Sequence, residues 1–325
     1  MELYLKDNYK IELLAESVTA KESLDAIAYT LTVELAYTDE LRALGIAKGD
    51  SIMLYDNAYS LYGYEMIFNG VVWDLEKDEK DKKVTITGRE RTVHIEESED
   101  EYLWSEGQTA LDRMMIIAND WGIPVGYTDD PKIGLSKSKR KESLYSMMKK
   151  DLKETAQKGG SLYRIRMDEK LDFIELGTNV ETYELSGIID SLEYKESMDG
   201  IVTQVKVLGK NDKDDKLSPI IGTFSQDTET YGCIQKIIQD DDVKSYSDAE
   251  NKSISMFNTG EDSISVNCVK DINYLRAGNQ VSLYNNPYII TEMTHKFGNC
   301  NTEDPGSMNV ILMTWEGVRK KYYAE

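Results

Sequence analysis

Residues able to do chemistry are few and scattered. The two histidines, His94 and His295, lie 201 positions apart. No HExxH, GxSxG, GxGxxG or Walker-type glycine-lysine motif occurs. A catalytic triad can assemble from distant residues, but neither histidine has a suggestive neighbourhood. His94 follows Arg89-Glu90-Arg91-Thr92-Val93 and is expected at a strand end. His295, within Thr291-Glu292-Met293-Thr294-His295-Lys296, falls in an alternating strand. Both read as structural. Cys233, Cys268 and Cys300 are odd in number, form no CxxC pair and read as free thiols of a reducing compartment.

Carboxylates are abundant enough to supply accidental acid pairs, so a glycosidase-like pair is conceivable but unsupported by any local pattern. Glu96-Glu97 and Glu99-Asp100-Glu101 read as a solvated linker. Asp240-Asp241-Asp242 lacks the alternating ligands and central glycine of a calcium loop. Lys210 to Lys216 reads as a solvated mixed-charge loop. The sequence therefore assigns no catalytic, cofactor-binding or metal residue, and no cofactor.

The elements that would position any site say more. A chain of 325 residues with 40% hydrophobic content can hold two or three domains. Asp and Glu number 59 against 38 Lys and Arg, a formal net charge of -21. That balance opposes sequence-specific nucleic-acid binding and docking on anionic membranes. Met1 to Tyr9 carries no signal-peptide pattern, and no apolar run approaches the ~18 residues of a membrane span, so no membrane anchor is expected.

One part of the sequence resembles another. Ser17 to Ile27 matches Ser191 to Ile201 at six of 11 positions, offset by 174. Each segment runs into alternation, Tyr29 to Leu35 and Val202 to Leu208. Further on, Lys48-Gly49-Asp50-Ser51-Ile52-Met53-Leu54-Tyr55-Asp56-Asn57 matches Ala277-Gly278-Asn279-Gln280-Val281-Ser282-Leu283-Tyr284-Asn285-Asn286, offset by 229. A closing strand follows in each copy, at Val84 to Thr87 and at Asn309 to Met313. The difference between the offsets, 229 − 174 = 55, predicts an insertion in the second copy. Residues 210–262 are assigned to it, with a helix over Thr228 to Gln239 presenting Ile234, Ile237 and Ile238. Each copy is expected to bury its strand faces in a small barrel or sandwich.

Between the copies the pattern changes. Ser105-Glu106-Gly107-Gln108 suggests a capping box before a helix with Leu111, Met114, Met115, Ala118 and Trp121 on its apolar face. Leu144, Met147, Met148, Leu152, Thr155 and Ala156 predict a second helix, stopped at Gly159-Gly160. Ser161 to Arg166 and Leu171 to Leu176 predict a hairpin around Asp168-Glu169-Lys170. The fold class is α+β, mainly β. A first barrel domain spans 1–100, an inserted α/β domain 101–183, and a second barrel domain 184–325.

This arrangement, carried by the two Gly-led strands and the helix-loop-helix-hairpin from Thr109 to Leu176, resembles hub proteins of contractile phage tails. These include the XkdQ-like family and the late-control-gene-D type, and the resemblance extends to R-type bacteriocins. It implies two tube-protein-like barrels per chain and a homotrimeric, pseudo-sixfold ring. Such a ring would adapt the hexameric tail tube to a trimeric central spike, with other baseplate proteins around it. It implies a structural protein rather than an enzyme, assembled in the bacterial cytoplasm and residing in the baseplate of a virion or tail-like particle. Strand edges of neighbouring barrels are expected to pair around the ring. Two further readings compete: a tail-associated peptidoglycan hydrolase, and an acidic β-rich binding module.

Overall fold

The computed structural model describes all residues except 58–62, 168, 180, 211–215, 240–242, 244, 299–304 and 325. Alternating segments form most of the first part. β1 (Glu2–Leu5) and β2 (Tyr9–Lys10) make a short hairpin, followed by β3 (Ala15–Ser23), β4 (Thr30–Ala36), helix α1 (Asp39–Ala43), β5 (Ser51–Asn57), β6 (Tyr64–Asp78) and β7 (Lys83–Glu90). A mixed stretch contains α2 (Val93–Glu97), β8 (Glu99–Trp104), α3 (Ala110–Asp120), β9 (Val125–Thr128), β10 (Ser138–Ser143), α4 (Leu144–Gln157), β11 (Tyr163–Met167) and β12 (Leu171–Glu175). The rest comprises β13 (Tyr183–Glu184), β14 (Ile189–Ser197), β15 (Gln204–Leu208), β16 (Ile220–Ser225), α5 (Thr228–Tyr231), β17 (Gln235–Gln239), α6 (Tyr246–Met256), β18 (Glu261–Cys268), β19 (Gln280–Leu283), β20 (Asn286–Lys296), β21 (Ser307–Met313) and α7 (Trp315–Tyr322).

Among the described residues, thirteen strands share one sheet. Its first half pairs in the order β3-β4-β7-β6-β5-β1, and its second half in the order β14-β18-β21-β20-β19-β13. The order is the same, and so is local detail. Gly49 and Gly278 both turn the chain at positive φ, +89° and +88°. Asp50 accepts a hydrogen bond from the Ala47 amide at 2.8 Å, and Asn279 accepts one from the Arg276 amide at 2.8 Å. The Gly49 amide donates to the Val72 carbonyl, as the Gly278 amide does to Ile290. One residue later β6 carries a bulge between Val72 and Asp74, and β20 one between Ile290 and Glu292. The halves differ at their ends: β1 joins β5 antiparallel, whereas β13 joins β19 in parallel. They meet where β20 pairs antiparallel with β3. The path is open, and no closed barrel forms among the described residues.

The second half is interrupted earlier than the sequence suggests. The counterpart of β4 is β18, since both lie between a matched outer strand and a matched closing strand. The alternating run Val202 to Leu208 instead supplies β15, which sits between β16 and β17 in a separate sheet. The excursion thus begins just after β14, not at residue 210. Its expected helix also ends after one turn: Gly232 takes φ +78°, and Gln235–Gln239 continues as β17. Ile238 is buried while Ile237 is exposed, the alternation of a strand.

Four apolar clusters organise the described residues. Leu31, Val33, Leu35, Ile52, Leu54, Val84 and Ile86 meet beneath the first half. Val266, Val281, Leu283, Ile290, Val310 and Leu312 meet beneath the second. A third cluster fills the middle stretch around Trp104, Met114, Met147 and Phe173, and continues to Ile289 of β20 and Val318 of α7. The smallest, with Val205, Val207 and Ile238, belongs to the excursion. Helix α3 starts at a capping box formed by Thr109 and Asp112, four residues later than expected, while Gln108 reaches back to the Ser105 amide. Its buried face is also rotated. Arg113 is buried against Asp151 of α4, and Met115 and Trp121 are exposed. Helix α4 and the β11–β12 hairpin match their expected places, apart from Asp168, which lies outside the described residues.

Candidate functional site

The sheet halves are locked together by a buried charge cluster at the β20–β3 junction. Val18, Ala20 and Glu22 lie on one phase of β3, Leu24 continues it just past the strand's end, and all four are buried. A carboxylate on that phase must be paired or pay several kcal/mol of desolvation, on the order of 3 kcal/mol or more. The Glu22 carboxylate accepts from Arg164 Nη2 at 2.5 Å, from Arg276 Nε and Nη2 at 2.8 Å each, and from the Ala277 amide at 2.9 Å. Burial pushes its pKa up, but the Arg164 and Arg276 guanidiniums prevail and hold the carboxyl well below the usual range. The Arg276 guanidinium also lies 4.1 Å from the centre of the buried Tyr29 ring, and its Nη2 approaches Glu90 at 3.4 Å. Three parts of the chain therefore converge. Glu22 comes from the first half, Arg276 and Ala277 from the turn before β19, and Arg164 from the middle hairpin.

Gly278 permits that convergence. A Cβ there would lie 2.7 Å from Arg164 Cδ and 2.9 Å from Leu176 Cδ2, whereas at Gly49 it would meet nothing within 4 Å. Asn273 adds a second tie by donating to the Asn57 carbonyl at 3.0 Å. Such a set of contacts fixes the orientation of the three parts it joins. Glu22 and Glu90, the buried glutamates among the described residues, both face Arg276.

The residues singled out from sequence are not brought together. His94 sits in α2 rather than at a strand end. It is exposed and edge-on to Trp73 with ring centroids 6.3 Å apart. His295 is in β20 as expected, fully buried, with Nδ1 2.6 Å from Asp271 Oδ1 and Nε2 2.9 Å from the Leu275 carbonyl. Its second nitrogen must donate to that carbonyl, leaving none to deprotonate a nucleophile. Burial pushes the Asp271 carboxyl up, with His295 opposing. Cys268 is buried, its thiol raised to about 11 by burial and by Asp271, while Cys233 is exposed. Cys300, Asp240-Asp241-Asp242 and residues 211–215 of the Lys210–Lys216 loop lie outside the described residues. The expected acidic linker is instead partly strand: Glu99, Asp100 and Glu101 belong to β8, paired with β10, and Glu101 meets Lys139 at 2.8 Å. No group of three or more potential metal ligands occurs among the described residues. No helix among them is long and apolar enough to cross a membrane.

The YQBQ-like family profile matches residues 18–303, a span that includes both Gly-led turns, the middle stretch and the charge cluster. The chain belongs to the YQBQ-like family. No curated protein sequence matches it. Its fold is shared with solved phage-tail proteins. The 43 kDa tail protein of prophage MuSo2 from Shewanella oneidensis superposes with a TM-score of 0.67 at 12% identity, covering 97% of this chain and 98% of that one. A tail protein from Neisseria meningitidis MC58 gives 0.66 at 12% identity, with 97% and 98% covered. The E. coli c3393 protein gives 0.53 at 9% identity, covering 100% of this chain and 79% of that one. It is described as a component of the type VI secretion system with structural similarity to T4 tail proteins gp27 and gp5. At these identities the likeness establishes that this YQBQ-like chain has the tail-protein fold.

Proposed function

We propose that this YQBQ-like protein is a structural hub in the baseplate of a contractile tail or tail-like particle. Three copies form a pseudo-sixfold ring between the hexameric tube and the trimeric central spike, contacting other baseplate proteins. The observation that carries the reading is the strand order used twice in one chain, with the same Gly turn and the same bulge in each half. Two tube-protein-like modules derived by duplication would let three subunits match a sixfold partner, while small differences between modules keep the true symmetry threefold. The middle stretch forms the third domain of this plan. It reaches the junction through Arg164, which would hold the two modules at one angle. The fold of the solved tail proteins supports the reading, as does a junction fixed by buried ion pairs.

Absolute quantification of this chain against the tube protein in purified tail particles tests the proposal. Three copies per particle are expected. One or six copies, or absence from the particle, would overturn it.

A further inference from the structure

Among the edges that the sheet halves leave open in the described residues, two are counterparts of edges that are paired inside the chain. Within the chain, β20 beyond its bulge pairs with β3 in the register Glu292↔Ser23, Met293↔Glu22, Thr294↔Lys21, His295↔Ala20 and Lys296↔Thr19. The ladder is continued by the Leu24 amide donating to Thr291 and the Phe297 amide donating to Val18. The counterpart of that β20 segment is Asp74–Asp78 of β6, beyond the same bulge. It pairs with β7 on one side, and among the described residues nothing pairs with its other side. The counterpart of β3 is β14, which among the described residues pairs only with β18. Positions buried on β3 are open on β14: Ala20 is 0% exposed and Tyr194 64%, and buried Glu22 corresponds to exposed Glu196.

We propose that these two open edges pair with each other between copies of this chain, β14 of one copy lying antiparallel to Asp74–Asp78 of the next. The partner is a second copy because the geometry repeats a contact the chain already makes with itself. Ser23 to Ser197 is a shift of 174 residues, and Asp74 to Glu292 one of 218. Carrying the internal register across by these shifts aligns Asp74 with Ser197, Leu75 with Glu196, Glu76 with Lys195, Lys77 with Tyr194, and Asp78 with Glu193. Met198 would then lie opposite Trp73, as Leu24 lies opposite Thr291.

The charges suit this pairing better than self-pairing of the β6 edge. Lys195 would face Glu76 directly, with Asp74 and Asp78 as diagonal neighbours on the same face. Lys77 would have Glu196 on its diagonal. Asp78 opposite Glu193, and Glu76 on the diagonal of Glu193, are the unfavourable contacts against these. Two β6 edges brought together would instead set acid against acid, which disfavours that alternative. Each copy offers one edge of each kind, so the contact is head-to-tail and generates a ring when its rotation closes. Closure at three follows if each step from module to module, within a chain and between copies, is about one sixth of a turn. This inference rests on the assembly reading above and specifies the contact by which the ring would form.

The test is disulfide trapping. Thr294 and Lys21 occupy a non-hydrogen-bonded pair, since the ladder bonds fall on Leu24–Thr291 and Val18–Phe297 and alternate between them. Glu76 and Lys195 inherit that site type, where Cα atoms approach to about 4.5 Å. The full chain carrying Glu76→Cys and Lys195→Cys, with Cys233→Ser and Cys300→Ser, is expected to give a covalent ladder ending at three chains under mild oxidation. Each single variant should give none of it. Leu75→Cys with Lys195→Cys, on opposite faces, should trap several-fold less. As an independent measure, Lys195→Glu should weaken self-association about tenfold or more, because a few-fold loss recurs at every junction, and Glu76→Lys in the same chain should restore it. A trimer by native mass with neither trapping nor charge rescue would overturn the strand pairing and leave the trimer standing. Chains that stay monomeric both alone and in tail particles would overturn the trimer as well.

Discussion

Replacing Glu22 by glutamine tests whether the junction depends on charge rather than shape. The substitution keeps the side chain's length and one oxygen, but turns the other acceptor into a donor aimed at a guanidinium. Four N–H groups at 2.5–2.9 Å converge on the native carboxylate, so at least one arginine contact becomes donor against donor. Arg164 and Arg276, each about 7% exposed, would then face a neutral amide, with Glu90 3.4 Å from Arg276. Removing one partner from a buried pair costs about 3–5 kcal/mol. Against a typical total of about 5–15 kcal/mol this is a large loss. For a chain of 325 residues it corresponds to a midpoint lower by about 4–7 °C in a thermal melt. Glu196→Gln, at the exposed counterpart, should leave the melt of the isolated chain unchanged to within about 0.5 kcal/mol. The sign of the pH dependence is also set. With its folded-state value held low, Glu22 contributes stability that is complete above its ordinary value of 4.5 and is lost as pH falls toward the folded value. Denaturant titrations of the two proteins from neutral to acid pH should therefore converge on acidification. A Glu22→Gln protein within 1 kcal/mol of wild type at neutral pH, by the standard of ~3–5 kcal/mol for such pairs, would refute the reasoning.

Other predictions follow from the same contacts. Gly278→Ala and Gly49→Ala share a left-handed backbone cost of about 1–2 kcal/mol, but only the first adds a clash with Arg164 and Leu176. Chemical denaturation should show Gly278→Ala to be the more destabilising by about 1–3 kcal/mol, and equal losses would count against the close approach at the junction. In a Cys300→Ser background, a thiol reagent at neutral pH should label exposed Cys233 rapidly and Cys268, whose thiol is raised to about 11, only on unfolding. Equal labelling rates would show that the second core is open.

Much of this was legible in the sequence because it is local. The Gly-led turns, the β5 and β19 alternations, helix α4 and the β11–β12 hairpin are written in neighbouring residues. Strand partners are not. Val202 to Leu208 alternates as a strand and is one, but alternation says nothing about which sheet receives it. Ile234, Ile237 and Ile238 have spacing that suits a helix face as well as part of a strand, and the positive φ of Gly232 decides between them. The acids of β8 hid a strand because a two-stranded ribbon can expose charged residues along its length. Glu22 left one usable sign: it occupies the inward phase of an apolar strand, between Ala20 and Leu24. Its partners could not be read, because Arg164 and Arg276 are 142 and 254 residues away.

The most direct measurement is a particle reconstruction of the assembled tail tip resolving this chain. Six similar sheet modules in a threefold ring are expected, with β14 of each subunit laid against Asp74–Asp78 of its neighbour in the register of the internal junction. A ring with another subunit number, or a tip in which both edges remain bare, would contradict the account.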